Sequence, residues 1–83
     1  MLNYLFKPLT VKGKKIKNRC AVSAMVTNYC EEDGKATERY IAYHEAKARG
    51  GFGLIITEDY AVGPKGRGFS NVAGLWCDEQ IES

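Results

Sequence analysis

The stretch that decides the fold is residues 48–58, ARGGFGLIITE, where a glycine pair separates two kinds of sequence pattern. After the pair, residues 52–57 are almost continuously apolar, which is typical of a short strand that is covered on both faces. Parallel sheets contain such strands, because the helices that connect them lie on both surfaces. The stretch therefore predicts a strand over residues 53–58 in a parallel α/β architecture.

A helix over residues 37–49 is predicted in front of the glycine pair. Thr37 is a typical N-cap, and Glu38 in the first turn is favourable for the helix dipole. Two basic residues stand in the predicted last turn, and Gly50-Gly51 is a strong stop signal. Four residues recur at helical spacing, Tyr40, Tyr43, His44 and Ala48. The face that carries Tyr40, Tyr43 and His44 is expected to pack on the strands.

Two segments before the helix complete the first half of a strand–helix–strand unit. Residues 9–19, LTVKGKKIKNR, predict a hairpin with Gly13-Lys14 at its turn. Residues 20–26, CAVSAMV, are small and apolar and predict the first buried strand. The charged residues 31–35 then end this pattern.

Residues 59–77 predict a long loop on the functional face, and residues 78–83 predict the start of a second helix. The Gly-rich part, residues 63–68, lacks the Gly-Lys-Ser/Thr pattern of a phosphate-binding loop, and we expect a mobile segment there.

Two parallel strands cannot bury themselves, and a parallel barrel takes eight strands and roughly 250 residues. The predicted fold class is therefore α/β: the N-terminal portion (hairpin plus first βαβ unit) of a TIM (β/α)8 barrel, incomplete in this chain.

The composition is ordinary for a globular protein, with 45% hydrophobic residues, 27% charged residues and a net charge of +2. The basic residues are unevenly placed, since the first 30 residues contain no acid. A nucleic-acid patch is one interpretation of that basic start. We favour a solvated hairpin whose lysines protect an edge, because no nucleic-acid-binding motif accompanies them. Nucleic acid is therefore not expected as a partner. A membrane is not expected either, because no apolar run approaches membrane-spanning length.

The three cysteines, Cys20, Cys30 and Cys77, stand far apart and form no CxxC pattern. With a single histidine in the chain, a metal site is not expected. Reduced thiols and the lack of a signal-peptide pattern favour a cytoplasmic location. Cys30 is expected to be the most exposed of the three, with its pKa raised by two neighbouring acidic residues.

A set of short motifs runs in one order along the chain. The motifs are Leu5-Phe6-Lys7-Pro8-Leu9, Lys17-Asn18-Arg19, Ser23-Ala24-Met25, Asp33-Gly34 with Thr37, residues 48–58, and residues 74–81. In that order and spacing, the sequence resembles the N-terminal segment of the NADH:flavin oxidoreductase / old yellow enzyme family. Each motif is weak by itself, and the collinear set carries the resemblance.

The resemblance implies an FMN-dependent TIM barrel in which the hairpin closes the bottom and the strand ends form the catalytic face. It implies cofactor contacts from Ser23, Ala24, Met25, Val26 and Asp59, and no catalytic residue within this chain. Two of these positions depart from the family. The family usually has proline where Ala24 stands, and a polar side chain where Val26 stands, which hydrogen-bonds the flavin and tunes its potential.

The implied activity is hydride transfer from NAD(P)H to FMN and then to an electron-poor alkene such as an enone or enoate. In the family, the groups that bind substrate and donate a proton come from later strands. This chain is therefore expected to be inactive alone and not to retain FMN. The alternative is a non-catalytic truncated module that self-associates through exposed strands.

Two other chemical interpretations of single residues are disfavoured. Ser23 could be a nucleophile, but no histidine-plus-acid arrangement supports it. Glu58-Asp59 could be an acid/base pair, but neighbours on a strand point to opposite faces. We expect a backbone contact for Asp59 and a structural role for Glu58.

Overall fold

The computed structural model describes residues 3–83. A hairpin is followed by a strand, a helix and a second strand parallel to the first. These elements are β1 (Leu9–Val11), β2 (Lys14–Ile16), β3 (Ala21–Val22), α1 (Glu38–Arg49) and β4 (Leu54–Ile55). Two single-turn 3-10 helices follow, at Pro64–Gly66 and Asp78–Gln80.

The hairpin is antiparallel, with Leu9 opposite Ile16. Its turn residues are Lys12 and Gly13, with φ of 47° and 79°. A two-residue hairpin turn of the primed type needs positive φ at both positions, because its twist must match that of the strands. The turn predicted at Gly13-Lys14 was therefore wrong by one residue, since Lys14 already belongs to β2.

The two parallel strands are short, with Val22 opposite Ile55 in the ladder. The last ladder bond runs from the Ile56 amide to the Val22 carbonyl at 3.1 Å. The sequence predicts longer strands, over residues 20–26 and 53–58. Strand length depends on the neighbours that accept and donate ladder bonds, and each strand has a neighbour on one side only within the described residues.

Helix α1 begins directly after Thr37, whose Oγ1 accepts a hydrogen bond from the Tyr40 amide at 3.1 Å. Tyr40 is buried, and Tyr43 and His44 are half-buried, as the helical spacing predicts. Ala48, which shares this spacing, is exposed.

The buried core lies beside α1, where the loop after β3 meets the loop after β4. Cys30, Tyr40 and Ala73 form its centre, and the Cys30 amide donates to the Asn71 carbonyl at 3.1 Å. Cys30 is 3% exposed, so the expectation that it is the most exposed cysteine was wrong. Residues 71–73 fold back over it, and Cys77 is the exposed thiol instead.

The loop over residues 59–77 contains its own hydrogen bonds. Ala61 and Gly74 form an isolated parallel bridge. Arg67 donates to the carbonyl oxygens of Pro64 and Glu32, at 3.0 and 2.5 Å. The Gly-rich part of this loop is therefore joined to the loop before α1.

The molecule is extended, with principal dimensions of 46 × 26 × 22 Å and a radius of gyration of 15.3 Å. A compact domain of this length has a radius of about 12 Å. The accessible surface is 6232 Å², where a folded monomer of this mass exposes about 4,900 Å². The excess means that much surface is left uncovered. No helix among residues 3–83 has the length and apolarity needed to cross a membrane.

Candidate functional site

The carboxyl ends of β3 and β4 lie side by side, because the two strands are parallel. Ser23, Ala24 and Met25 follow β3 and are exposed, and Val26 is half-buried. Asp59 lies beyond the end of β4 and is also exposed. All five residues predicted to contact the cofactor therefore lie at or beyond the carboxyl ends of the two strands.

The two faces of the strand pair differ in cover. Val22 and Ile55 are half-buried, and α1 packs against β4. Their neighbours point the other way, because side chains alternate along a strand. Leu54 is 44% exposed and Ile56 is 52% exposed. The pair thus presents an open apolar face next to the strand ends.

The backbone after β3 is free to bind another group. In a parallel pair, alternate residues of a strand point their backbone groups toward the partner, and Val22 does so here. Within residues 3–83, no backbone hydrogen bond joins Ser23, Ala24 or Met25 to another segment. Two of these three side chains are small, so a planar ligand can approach the amides and carbonyls closely.

Glu58 is the buried acid of this region, with 1% of its side chain exposed. Its Oε1 accepts from the Thr27 amide at 2.8 Å, and its Oε2 accepts from Thr27 Oγ1 at 2.9 Å. His44 Nε2 lies 2.9 Å from the same Oε2. One carboxylate thus joins the segment after β3, the segment after β4 and helix α1.

Aromatic rings enclose His44 on α1. The Tyr40 and Tyr43 rings pack edge-on against it, with centroid distances of 4.7 and 5.1 Å. The Tyr40 hydroxyl lies 2.5 Å from the Tyr60 hydroxyl. Burial and the bond to Tyr60 raise the pKa of Tyr40, so this hydroxyl stays protonated in ordinary buffers.

The chain turns sharply just after the candidate segment. Asn28 has a φ of 60°, in the left-handed region that asparagine tolerates better than most residues. Its Oδ1 accepts from the Asn71 amide at 2.8 Å, and Asn71 Nδ2 donates to the Cys30 carbonyl at 2.8 Å. The far end of the segment is thereby attached to the loop after β4.

Other chemistry finds no support in the described residues. No group of three or more His, Cys, Asp or Glu side chains within residues 3–83 is arranged to hold a metal ion. Ser23 makes no hydrogen bond to the one histidine, which binds Glu58 instead. Glu58 is buried and Asp59 is exposed, so the two acids do not share one site.

The sequence alone did not reveal the contact of Thr27 and His44 with Glu58. Thr27 and Glu58 are 31 positions apart, and His44 and Glu58 are 14 apart. No local pattern connects residues at such separations. The one available signal was an acidic residue at the end of an apolar strand, which indicates a buried or functional carboxylate.

A strand–helix–strand unit whose two strands are parallel defines a parallel α/β protein. The model of the NADH:flavin oxidoreductase / NADH oxidase family matches residues 4–83, and the chain belongs to this family. It is 42% identical over 83 residues to the NADPH dehydrogenase of Bacillus subtilis (strain 168) and 40% identical to that of Geobacillus sp. (strain WCH70). These matches cover 99% of the chain and 25% and 24% of the relatives, so it spans about a quarter of their length.

Solved structures agree with this placement. The 2-naphthoyl-CoA reductase in complex with 2-naphthoyl-CoA superposes with a TM-score of 0.94 at 29% identity, over 99% of this chain and 13% of that one. Old yellow enzyme from Pichia sp. AKU4542 superposes with a TM-score of 0.85 at 29% identity, over 95% of this chain and 20% of that one. The chain is thus an N-terminal segment of the old yellow enzyme type, in a family that uses FMN.

Proposed function

We propose that this chain forms the first part of an FMN-dependent NAD(P)H oxidoreductase that reduces electron-poor alkenes such as enones and enoates. The observation that carries the proposal is the segment Ser23–Met25 at the carboxyl ends of the parallel strands: its residues are exposed, and its backbone makes no hydrogen bond to another segment within residues 3–83. Small side chains and free amides suit a flat ring at that edge. When bound, FMN supplies the hydride chemistry, and the chain supplies one wall of its site.

The residues of this wall have different tasks in the proposal. Ser23, Ala24 and Met25 offer backbone groups to the edge of the flavin ring, and Asp59 offers its backbone from the end of β4. Val26 packs against the ring as an aliphatic side chain. It has no hydrogen-bond donor, so it cannot tune the flavin potential in the way a polar side chain does.

The chain is proposed to be inactive alone and to act in the cytoplasm. In the family, the groups that bind substrate and donate a proton come from later strands, and the two strands of this chain supply only one wall of the site. All three cysteines are free thiols, which suits a reducing compartment. NAD(P)H and the alkene would reach FMN only after the rest of a barrel covers the open face.

The experiment that tests this function compares the isolated chain with a chimera. In the chimera, residues 1–83 replace the matching quarter of the Bacillus subtilis NADPH dehydrogenase. We expect the chimera to bind FMN, to show the visible flavin spectrum and to oxidise NADPH with an enone. The isolated chain should do none of these. A chimera that folds without binding FMN would contradict the proposal, and so would an isolated chain that binds FMN stoichiometrically and oxidises NADH.

A second candidate is a non-catalytic module that self-associates. The observation that favours it is the open apolar face of the strand pair, with Leu54 and Ile56 about half-exposed and Met25 57% exposed. Exposed strand edges and apolar faces of this kind recruit partners. A well-folded monomer of the isolated chain in light scattering would count against this candidate.

A further inference from the structure

We infer that Glu58 is a positioning residue of the proposed flavin site, acting through Thr27 and His44. The inference rests on the proposed function and adds to it a residue that touches neither FMN nor substrate. Its task is to hold the segment after β3 at a fixed distance from β4 and α1. Three elements that the sequence keeps far apart meet at this one carboxylate.

The surroundings of Glu58 exclude a direct part in the chemistry. Its side chain is 1% exposed, so no substrate reaches it. Both oxygens are already occupied, because three donors point at them: the Thr27 amide, the Thr27 hydroxyl and His44 Nε2. A buried carboxylate with all its partners inside the protein fixes structure rather than transferring protons.

Thr27 connects this carboxylate to the candidate flavin segment. It directly follows Val26, and Glu58 binds both its backbone and its side chain. Two bonds to one residue set its orientation as well as its position. Between the last ladder bond at Val22 and the turn at Asn28, the bond from the Thr27 amide to Glu58 is the one hydrogen bond that attaches the backbone to another segment within residues 3–83. The positions of Ser23–Val26 therefore depend on Glu58.

His44 connects the carboxylate to α1. Its Nδ1 is buried and has no partner among the described residues. A buried nitrogen without a partner costs less as an acceptor than as a donor N–H, so we assign the ring proton to Nε2, which donates to Glu58. Tyr40 and Tyr43 hold the ring in this orientation. The helix is thus joined to both strand ends through one side chain.

The test substitutes Glu58→Gln in the chimera, with Glu45→Gln as the matched control. Glutamine keeps the shape but offers one acceptor oxygen to three donors. Glu45 is an exposed acid of α1 whose partner is Arg49. We expect Glu58→Gln to raise the dissociation constant of FMN about tenfold or more and to shift the flavin absorption bands, since small displacements at such sites are costly. The dissociation constant of FMN for Glu45→Gln should stay within about twofold of the parent value, because an exposed ion pair contributes little free energy.

A milder pair of variants keeps the test decisive if Glu58→Gln fails to fold. Thr27→Val removes the hydroxyl and keeps the size and the amide, and Thr27→Ser restores the hydroxyl. We expect Thr27→Val to weaken FMN binding in the same direction and Thr27→Ser to recover it. Exchange of the Thr27 amide with deuterium should be faster in Glu58→Gln than in the parent by about tenfold or more, because that amide loses a charge-assisted bond.

Two failures are distinguishable. If the parent chimera folds and does not bind FMN, the proposed function is wrong, and this inference falls with it. If the parent binds FMN and folded Glu58→Gln or Thr27→Val binds it equally well with the same spectrum, the proposed function stands. The positioning role of Glu58 is then overturned.

Discussion

At the scale of single residues, Cys30 is the clearest case of tertiary structure overriding a local pattern. Its acidic neighbours in sequence indicated an exposed loop thiol, yet residues 71–73 cover it. Burial raises the pKa of Cys30 to about 11, and the charges of Glu58 and Glu31 add to the effect. The direction of the shift agrees with the sequence prediction, although its main cause is burial rather than neighbouring charge.

This shift predicts a loss of stability in alkali. The folded pKa of Cys30 lies above the ordinary value of 9.0, so its contribution is fully present below about pH 9 and is lost as the pH rises toward 11. In that range the unfolded chain releases the thiol proton before the folded one does. We expect the urea midpoint of the chimera to fall more steeply between these pH values than that of its Cys30→Ala variant. Equal slopes for the two proteins would contradict the shift.

At the scale of elements, the helix was predictable because its signals are local. Thr37 caps the first turn, and the glycine pair ends the last one, all within 15 residues of one another. Strand positions were also predictable from the apolar runs, whereas strand lengths were not. The length of a strand is set by residues elsewhere in the chain that pair with it, and those lie outside any local window.

The cap of α1 carries a prediction at this scale. Thr37 Oγ1 accepts from the Tyr40 amide and donates to the Tyr29 carbonyl at 2.5 Å. We expect Thr37→Ala to lower the free energy of unfolding of the chimera by about 1 to 2 kcal/mol, because both bonds are lost. Thr37→Ser keeps the hydroxyl and should lose less than half as much in urea denaturation. Equal losses for alanine and serine would exclude the hydroxyl as the cause.

At the scale of the whole molecule, the excess accessible surface and the open apolar face indicate that this segment leaves apolar side chains exposed to solvent. Its radius of gyration of 15.3 Å exceeds that of a compact domain of the same length, about 12 Å. In the proposed barrel, side chains of the remaining strands would cover this face. In the second proposed function, other copies of the chain would bury it instead.

The open face predicts association of the isolated chain. Ile56 is 52% exposed on that face, and Ile41 on α1 is 49% exposed elsewhere. Burying an isoleucine contributes about 1.5 to 3 kcal/mol, so we expect Ile56→Lys to weaken self-association by about tenfold or more. Ile41→Lys adds the same charge at a similarly exposed position and should change association much less. Sedimentation velocity measures both, and a parent chain that is monomeric at all concentrations would contradict the prediction.

The sequence by itself determined the helix and its ends, the parallel order of the strands and the family, because caps, apolar runs and collinear motifs are all readable along one dimension. It also placed Ser23–Val26 and Asp59 at the ends of the strands. Only the tertiary structure decided that Cys30 is buried and that Glu58 binds both Thr27 and His44. The reason is physical, because burial and hydrogen bonding depend on which distant segments come into contact. Those contacts form only in the tertiary structure.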